Sequence, residues 1–374
     1  MQGERRMEGK MEDEIIYLTA LNMTFRYRNG VAKALLEHFG SAVEIFRHNA
    51  LDLAKSTGLQ QKITTDLFSK QTMQAAQREV EWTQKEGVKT YTLFGSGYPE
   101  RLANCTDAPV LLYQRGPASL SNKKSLAIVG TRDATPYGIY TTEKIVKDLA
   151  LRGHHCSIIS GLAFGIDITA HKAALEVGLP TIAVFAFGLD HIQPAAHTSI
   201  AQKIGEMGAC VTDFPSKTIV NKSNFLKRNR IIAGLTDGVL VVESKVTGGA
   251  LITADIARSY DREVMAVSGR WNDVCSKGCN NLIKEQGGGL VNSVEDIEKQ
   301  LGWAPEINEK TQVASQPFDL IDSGLLQALE RGPLSIDQLH RISQLPLPEL
   351  SARLMQLTLK EKVKRLQQHQ YCLI

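Results

Sequence analysis

The chain has 374 residues, 43% of them hydrophobic and 22% charged, which excludes a disordered chain and predicts two or three packed domains. A net charge of only +3 excludes polyanion binding by global basicity, so any such site has to come from local clustering. No apolar run approaches the roughly 20 residues that span a bilayer, and the polar opening 1–14 lacks the apolar core of a leader, so no membrane association is expected.

Six thinly spread cysteines fit reduced thiols in a cytoplasmic protein. Cys275 and Cys279 lie close but lack a second pair to complete a tetrahedral site, so no metal is expected.

From the start, 1–85 reads as a small helical domain of the SAM or helix-hairpin-helix kind. Val31, Leu35, Leu36 and Phe39 repeat at helical spacing. Gly40 breaks the pattern, Val43, Phe46 and Leu51 form a second apolar face, and 68–82 a third. The stretch 91–116 reads as extended lead-in to the next domain, which the sequence places at 86–302.

From Ser125 the pattern changes to short apolar runs at 126–129, 156–159, 181–185, 209–212, 239–242, 263–267 and 290–291, each followed by a turn and an amphipathic stretch. Their starts lie 24 to 30 residues apart, about the length of one strand–helix–strand step. They do not alternate, as parallel strands covered on both faces should not. The predicted fold is therefore α/β: an extended Rossmann-type, doubly wound, mostly parallel sheet.

A Pro- and Gln-containing stretch, 303–317, reads as a linker. In 318–374, Leu325, Leu326 and Leu329 mark one helix, Ile336, Leu339 and Ile342 a second, and Leu350, Leu354 and Leu357 a third. Lys360, Lys362, Lys364 and Arg365 precede a final strand, and the whole reads as a winged-helix-like domain. Its third helix carries little positive charge beyond Arg353, which argues against major-groove reading and leaves protein contact or packing as its expected role.

The chemistry is expected at the carboxyl ends of the strands, where open parallel sheets bind ligands. After the first run come Gly130, Thr131 and Arg132, a close-approach glycine followed by a planar fork of donors for phosphate. The spacing is not that of a dinucleotide fingerprint, and no cofactor is expected. After the second run, Ser160 and Gly161 open an anion-binding turn into a helix, with Gly165 as a further glycine. Asp167 is expected to brace that loop and His171 to be structural.

The sharpest local charge is KSNFLKRNR at 222–230, where Lys222, Lys227, Arg228 and Arg230 accompany Phe225 and Asn229 without an acid. Cations tracking a backbone beside an aromatic platform suit sequence-tolerant single-strand binding. Thr247, Gly248 and Gly249 form another small-residue turn into a helix, and Gly269 and Gly278 extend the rim. Five such turns on one sheet edge suit a chain of phosphates better than one would. No catalytic residue set is expected.

These segments resemble the DNA-processing protein A (DprA/Smf) family over about 126–301. The family's V-G-[ST]-R element is met at 129–132, S-G-x-A-x-G-I-D-x-x-A-H at 160–171, the R-N-R-I-I-A-G-L element at 228–235 and G-C-N-x-L-I at 278–283. Thr247, Gly248, Gly249 and Ala250 stand for its S-G-[ST]-L-I-T-A turn. Leu226 replaces a usual proline, Gln193 a tyrosine, Asp213 a glutamate and Ser268 a proline.

The resemblance implies a recombination mediator that binds and protects single-stranded DNA, dimerises through the Rossmann domain and helps load a RecA-type recombinase in natural transformation. Arg132, Lys227, Arg228 and Arg230 would grip phosphates, Ser160, Gly161, Gly248 and Gly249 would add loop contacts, and Phe225 would stack on a base. Two alternatives stand beside it. One is a phosphoribohydrolase of the lysine-decarboxylase-like group, whose carboxylate set is not found here. The other is an adaptor with a vestigial pocket, against which the basic cluster speaks.

Overall fold

Six helices open the chain: α1 (Gln2–Phe25), α2 (Asn29–Phe39), α3 (Ala42–Phe46), α4 (Ala50–Thr57), α5 (Gln61–Leu67) and α6 (Lys70–Lys85). The predicted break at Gly40 is there, with φ +82° closing α2 in the left-handed region that glycine tolerates best. Side chains of Ser41, Asn49 and Ser69 cap α3, α4 and α6. The computed structural model describes residues 2–25, 28–305, 320–329, 332–359, 362–366 and 370–373 and divides the chain into two units, 1–306 and 307–374.

The helical segment falls in the same compact unit as the sheet. Leu18, Leu21 and Phe25 of α1 share one apolar core with Leu111, Leu112 and Tyr113 of the neighbouring sheet. The Asn22 amide donates to the Asp213 carbonyl at 2.8 Å, and Glu79 of α6 accepts the Ser216 amide at 2.8 Å. Leu51, expected on an apolar face, is exposed, because Leu53 rather than Leu51 points inward from α4.

The sheet begins with β1 (Lys89–Thr92), a short α7 (Glu100–Ala103) and β2 (Leu111–Arg115). The seven apolar runs then become β3 (Ser125–Val129), β4 (Ser157–Ser160), β5 (Thr181–Val184), β6 (Ala209–Thr212), β7 (Gly238–Val241), β8 (Glu263–Val267) and β9 (Gly289–Val291). Between and after them lie α8 (Pro136–Leu151), α9 (Ile166–Glu176), α10 (Thr198–Met207), α11 (Lys222–Gly234), α12 (Gly249–Ser259), α13 (Lys277–Gln286) and α14 (Val294–Leu301).

Strand order is β1-β2-β6-β5-β4-β3-β7-β8-β9. The pairs β1/β2 and β2/β6 are antiparallel, and all the others are parallel. Burial on both faces explains the unbroken apolar runs. Leu126, Ile128, Ile158 and Leu240 face the core under α8, α9 and α14, whereas Ala127, Val129, Ile159, Val239 and Val241 face the core under α11 and α12. The chain winds outward from β3 to β6 and then returns to place β7 on the other side of β3. That reversal opens a crevice between the carboxyl ends of β3 and β7, where doubly wound sheets bind ligands.

The second unit contains α15 (Leu320–Leu329), β10 (Leu334–Ser335), α16 (Ile336–Ser343), α17 (Leu347–Leu359), β11 (Val363–Arg365) and β12 (Gln370–Leu373). Three helices pack on a small sheet of order β10-β12-β11, around Leu325, Leu329, Leu339, Leu350, Leu354, Leu357 and Val363. Ile342, expected on the inner face of α16, is exposed near the helix end. Most of the predicted linker 303–317 lies outside the described residues, as does Lys360. Among the described residues no helix is long and apolar enough to cross a membrane.

Candidate nucleic-acid interface

A cleft of about 300 Å³ occupies the β3/β7 crevice. It is lined from the β3–α8 loop by Gly130, Thr131, Arg132 and Asp133, from α11 by Phe225, Leu226, Arg228 and Asn229, and from the β7–α12 turn by Ser244, Lys245, Thr247, Gly248 and Gly249. Nine of the thirteen residues proposed for DNA contact meet here, together with Asp167. Ser160, Gly161, Lys227 and Arg230 do not line it.

The first loop is held by the last residues of the β7 strand end. The Thr131 amide donates to the Glu243 carbonyl at 2.8 Å, and the Glu243 carboxylate accepts the Thr135 amide at 2.9 Å and the Thr135 hydroxyl at 2.5 Å. Thr135 then caps α8 through the Gly138 amide at 3.2 Å, with Pro136 in the first turn. Glu243 is fully buried, so it anchors this loop rather than meeting a ligand. It leaves Arg132 exposed at the cleft mouth, with its guanidinium carbon 5.4 Å from the centroid of the Phe225 ring.

Opposite lies the N-terminus of α12. Gly248 is its cap residue, and no side chain bonds back to the first turn. The Gly248 amide donates to the Lys245 carbonyl and the Leu251 amide to the Gly248 carbonyl, which leaves the helix dipole and the remaining first-turn amides as what this end offers an anion. Lys245, exposed on the same turn, adds a cation that the sequence reading passed over. Its signal was present: a basic residue just past the end of an apolar run, at the predicted ligand edge.

The turn after β4 is built otherwise. The Ser160 hydroxyl donates to the Ile128 carbonyl at 2.6 Å and is fully buried. The Asp167 carboxylate accepts the amides of Gly161 at 3.2 Å and Ala163 at 3.4 Å. Burial raises its pKa, opposed by Arg228 and those two amides. Asp167 thus braces the loop, as expected. Gly161 has a different reason from the expected anion contact: a side chain there would reach within 2.3 Å of the Arg228 guanidinium. Gly165, at φ +75°, brings the loop against the Thr131 carbonyl, where a Cβ would stand 2.2 Å away.

The basic run 222–230 is not one exposed ridge. Lys222 is exposed and Lys227 half-buried on the outer half of α11, but everything from Arg228 to Gly234 is buried. Arg228 donates to the carbonyls of Gly161, at 2.7 Å, and Val184. Burial lowers its pKa to about 10, against the pull of Asp167, so it stays charged at neutral pH and contributes positive field to the cleft wall. Arg230 must be withdrawn from the phosphate-gripping set. Its guanidinium pairs with buried Asp213 and donates to the Asp107 carbonyl, on the side of α11 that faces β2 and β6. Ser160 leaves the set for the same reason: its donor is already used.

Phe225 is half-buried, with Arg132 on one side and the Arg228 guanidinium 5.9 Å from its centroid. Its ring lines the cleft and shares its surroundings with these two cations. His171 is structural, as expected. It is fully buried, its Nδ1 lies 2.6 Å from the Thr181 hydroxyl, and burial pulls its pKa down to about 3. In the second unit, Arg353 pairs with Glu349 one turn earlier on α17 at 3.2 Å.

Comparison with known proteins agrees with this architecture. The DNA recombination-mediator protein A family matches residues 89–302, and the DprA winged helix domain matches residues 309–368. DNA processing protein DprA of Streptococcus pneumoniae is 38% identical over 208 residues, covering 56% of this chain and 72% of that protein. Protein Smf of Escherichia coli is 37% identical over 269 residues, covering 70% and 71%.

The X-ray structure of the pneumococcal protein superposes with a TM-score of 0.57 at 32% identity, covering 67% of this chain and 91% of that one. DNA processing protein A from Helicobacter pylori, whose structure concerns its single-stranded DNA binding mode, gives 0.51 at 28% identity, covering 57% and 95%. With the family match spanning the whole sheet and its crevice, and the winged helix following in the expected place, this chain belongs to the DNA recombination-mediator protein A family.

Proposed function

We propose that the chain binds single-stranded DNA through the β3/β7 cleft and acts as a recombination mediator without covalent chemistry. The observation that carries the reading is one cleft wall offering Arg132 facing another offering the uncapped N-terminus of α12, with Lys245 beside it. Two anion sites of different kinds on facing walls suit successive phosphates of a strand. The Helicobacter pylori relative, studied in its single-stranded DNA binding mode, supports the same ligand.

The carboxylates at the cleft are Asp133 and Asp167, and Asp167 is occupied by loop amides. That leaves no pair placed around a sugar for glycosidic hydrolysis, which disfavours the phosphoribohydrolase alternative. Loading of a RecA-type recombinase, protection of the strand, dimerisation through the Rossmann domain and a cytoplasmic setting complete the proposal.

The test is an anisotropy titration of the full chain with a single strand and with the matching duplex, alongside incubation with mononucleotides and DNA. Preference for the single strand with no released product supports the reading. Equal or stronger duplex binding, or ribose phosphate release, overturns it.

A further inference from the structure

Beyond the cleft, the loop between β8 and α13 carries Arg270, Trp271 and Asn272, all exposed. Trp271 is 86% exposed, a large apolar ring that the fold does not use. It is not an isolated surface residue. The Ser244 amide at the cleft donates to the Cys275 carbonyl at 2.7 Å, and the Gly278 amide donates to the Ser244 carbonyl at 2.8 Å. The β8–α13 loop is thus hydrogen-bonded directly to the turn that lines the cleft.

On its other side, the Tyr137 hydroxyl of α8 donates to the Ser268 carbonyl at 2.9 Å, bringing a second, half-exposed ring to the same loop. Exposed Val246 and Val274 lie on these two joined loops. Lys245, Arg270 and Lys277 supply exposed positive charge. The acid on this loop, Asp273, is partly buried and accepts the Cys275 amide at 2.9 Å.

We infer that Trp271, on the loop that Tyr137 also bonds, is a stacking platform for a nucleobase on a strand leaving the cleft across β7 and β8. The inference rests on the single-strand reading above. The geometry is suitable: β8 is two strand spacings from β3, about 10 Å, so a strand seated in the cleft reaches the loop within a few nucleotides. The cleft supplies phosphate donors while its own ring, Phe225, is held by Arg132 and Arg228. The neighbouring loop provides the far more exposed aromatic face. Every base has a π-face, so such a platform adds affinity without sequence preference.

Full-length wild type, Trp271→Ala and Trp271→Phe are titrated with an oligothymidine strand and with an abasic strand of equal length. Affinity is read by anisotropy and the indole by intrinsic fluorescence. Of the three tryptophans, Trp82 is half-buried and Trp303 buried, so the solvent-exposed emission belongs to Trp271.

Oligothymidine should quench that emission in wild type, while the abasic strand binds without quenching. Trp271→Ala should lose about fivefold or more in affinity for oligothymidine and little for the abasic strand. Trp271→Phe should regain most of that loss while lacking the emission change. Oligothymidine binding with unchanged indole emission and equal affinity of Trp271→Ala overturns the platform and leaves the cleft standing. Failure of wild type to bind either strand overturns both.

Discussion

The turn after β4 and the turn after β7 look alike as sequence, each a run of small residues leading into a helix at the same sheet edge, and they do opposite things. The β4 turn is closed on itself: Ser160 bonds β3, Asp167 takes the loop amides, and Arg228 takes the Gly161 carbonyl. The β7 turn is more open: Gly248 starts α12 with no side-chain cap and lines the cleft with Gly249, although its own amide bonds the Lys245 carbonyl. The difference lies in a nearby carboxylate. Asp167, two residues after Gly165, accepts the amides of the loop ahead of α9, whereas Ala250 and Leu251 after Gly249 bring no carboxylate to α12 and leave room for a ligand's anion. A glycine-rich turn is therefore an anion site only when the protein has not already filled it.

The arginines show the same inward and outward division and give the largest expected effect. Arg230→Ala leaves the Asp213 carboxylate buried without its partner and should cost about 3–5 kcal/mol of folding stability. Denaturant unfolding would measure it, and a near-wild-type midpoint would show that Arg230 is not the internal brace described. Arg132→Ala should leave that midpoint unchanged and weaken single-strand binding by about 1.5–3 kcal/mol, since a charge-assisted phosphate contact is lost from an exposed side chain. Swapped effects would invert the comparison.

His171 sharpens the closed side. Its folded-state pKa of about 3 lies below its unfolded value near 6.5, so the unfolded chain takes up a proton first as the solution is acidified. The stability contribution is present above pH 6.5 and is lost as pH falls from there towards 3, by about 2 kcal/mol at pH 5. Unfolding midpoints of wild type and His171→Gln, compared between pH 7 and 5, should converge on acidification. A parallel decline would remove His171 as the cause.

The two glycines make a smaller contrast. Gly161→Ala meets the Arg228 guanidinium and should cost about 1–3 kcal/mol, whereas a Cβ at Gly249 finds open space and should change stability by less than about 0.5 kcal/mol. Thermal melts of the pair measure the difference, and equal costs would mean the two turns are equally packed.

The sheet was readable because burial on both faces leaves a strong mark: seven unbroken apolar runs at even spacing became seven parallel strands. The antiparallel β1 and β2 were read only as extended lead-in, since β2 joins the sheet by pairing with β6, whose partners lie about a hundred residues away, such as Tyr113 opposite Thr212, and β1 joins it through β2. The cleft residues were found by their place after a strand, which is local information.

What sequence could not supply was the direction of each side chain. Arg228 and Arg230 read as surface charge because their partners, Val184 and Asp213, lie 44 and 17 residues away and become neighbours only after folding. The packing of 1–85 on the sheet was likewise not legible, because an apolar helix face does not announce its partner.

The central claim is that the β3/β7 cleft holds phosphates through Arg132 and the α12 amides. The most direct measurement is single-strand affinity of wild type and Arg132→Ala across a series of salt concentrations. The account predicts a log–log slope of roughly −0.7 per phosphate neutralised, shallower by about one such step in the variant. A flat profile, or identical slopes and affinities for the two proteins, would contradict it.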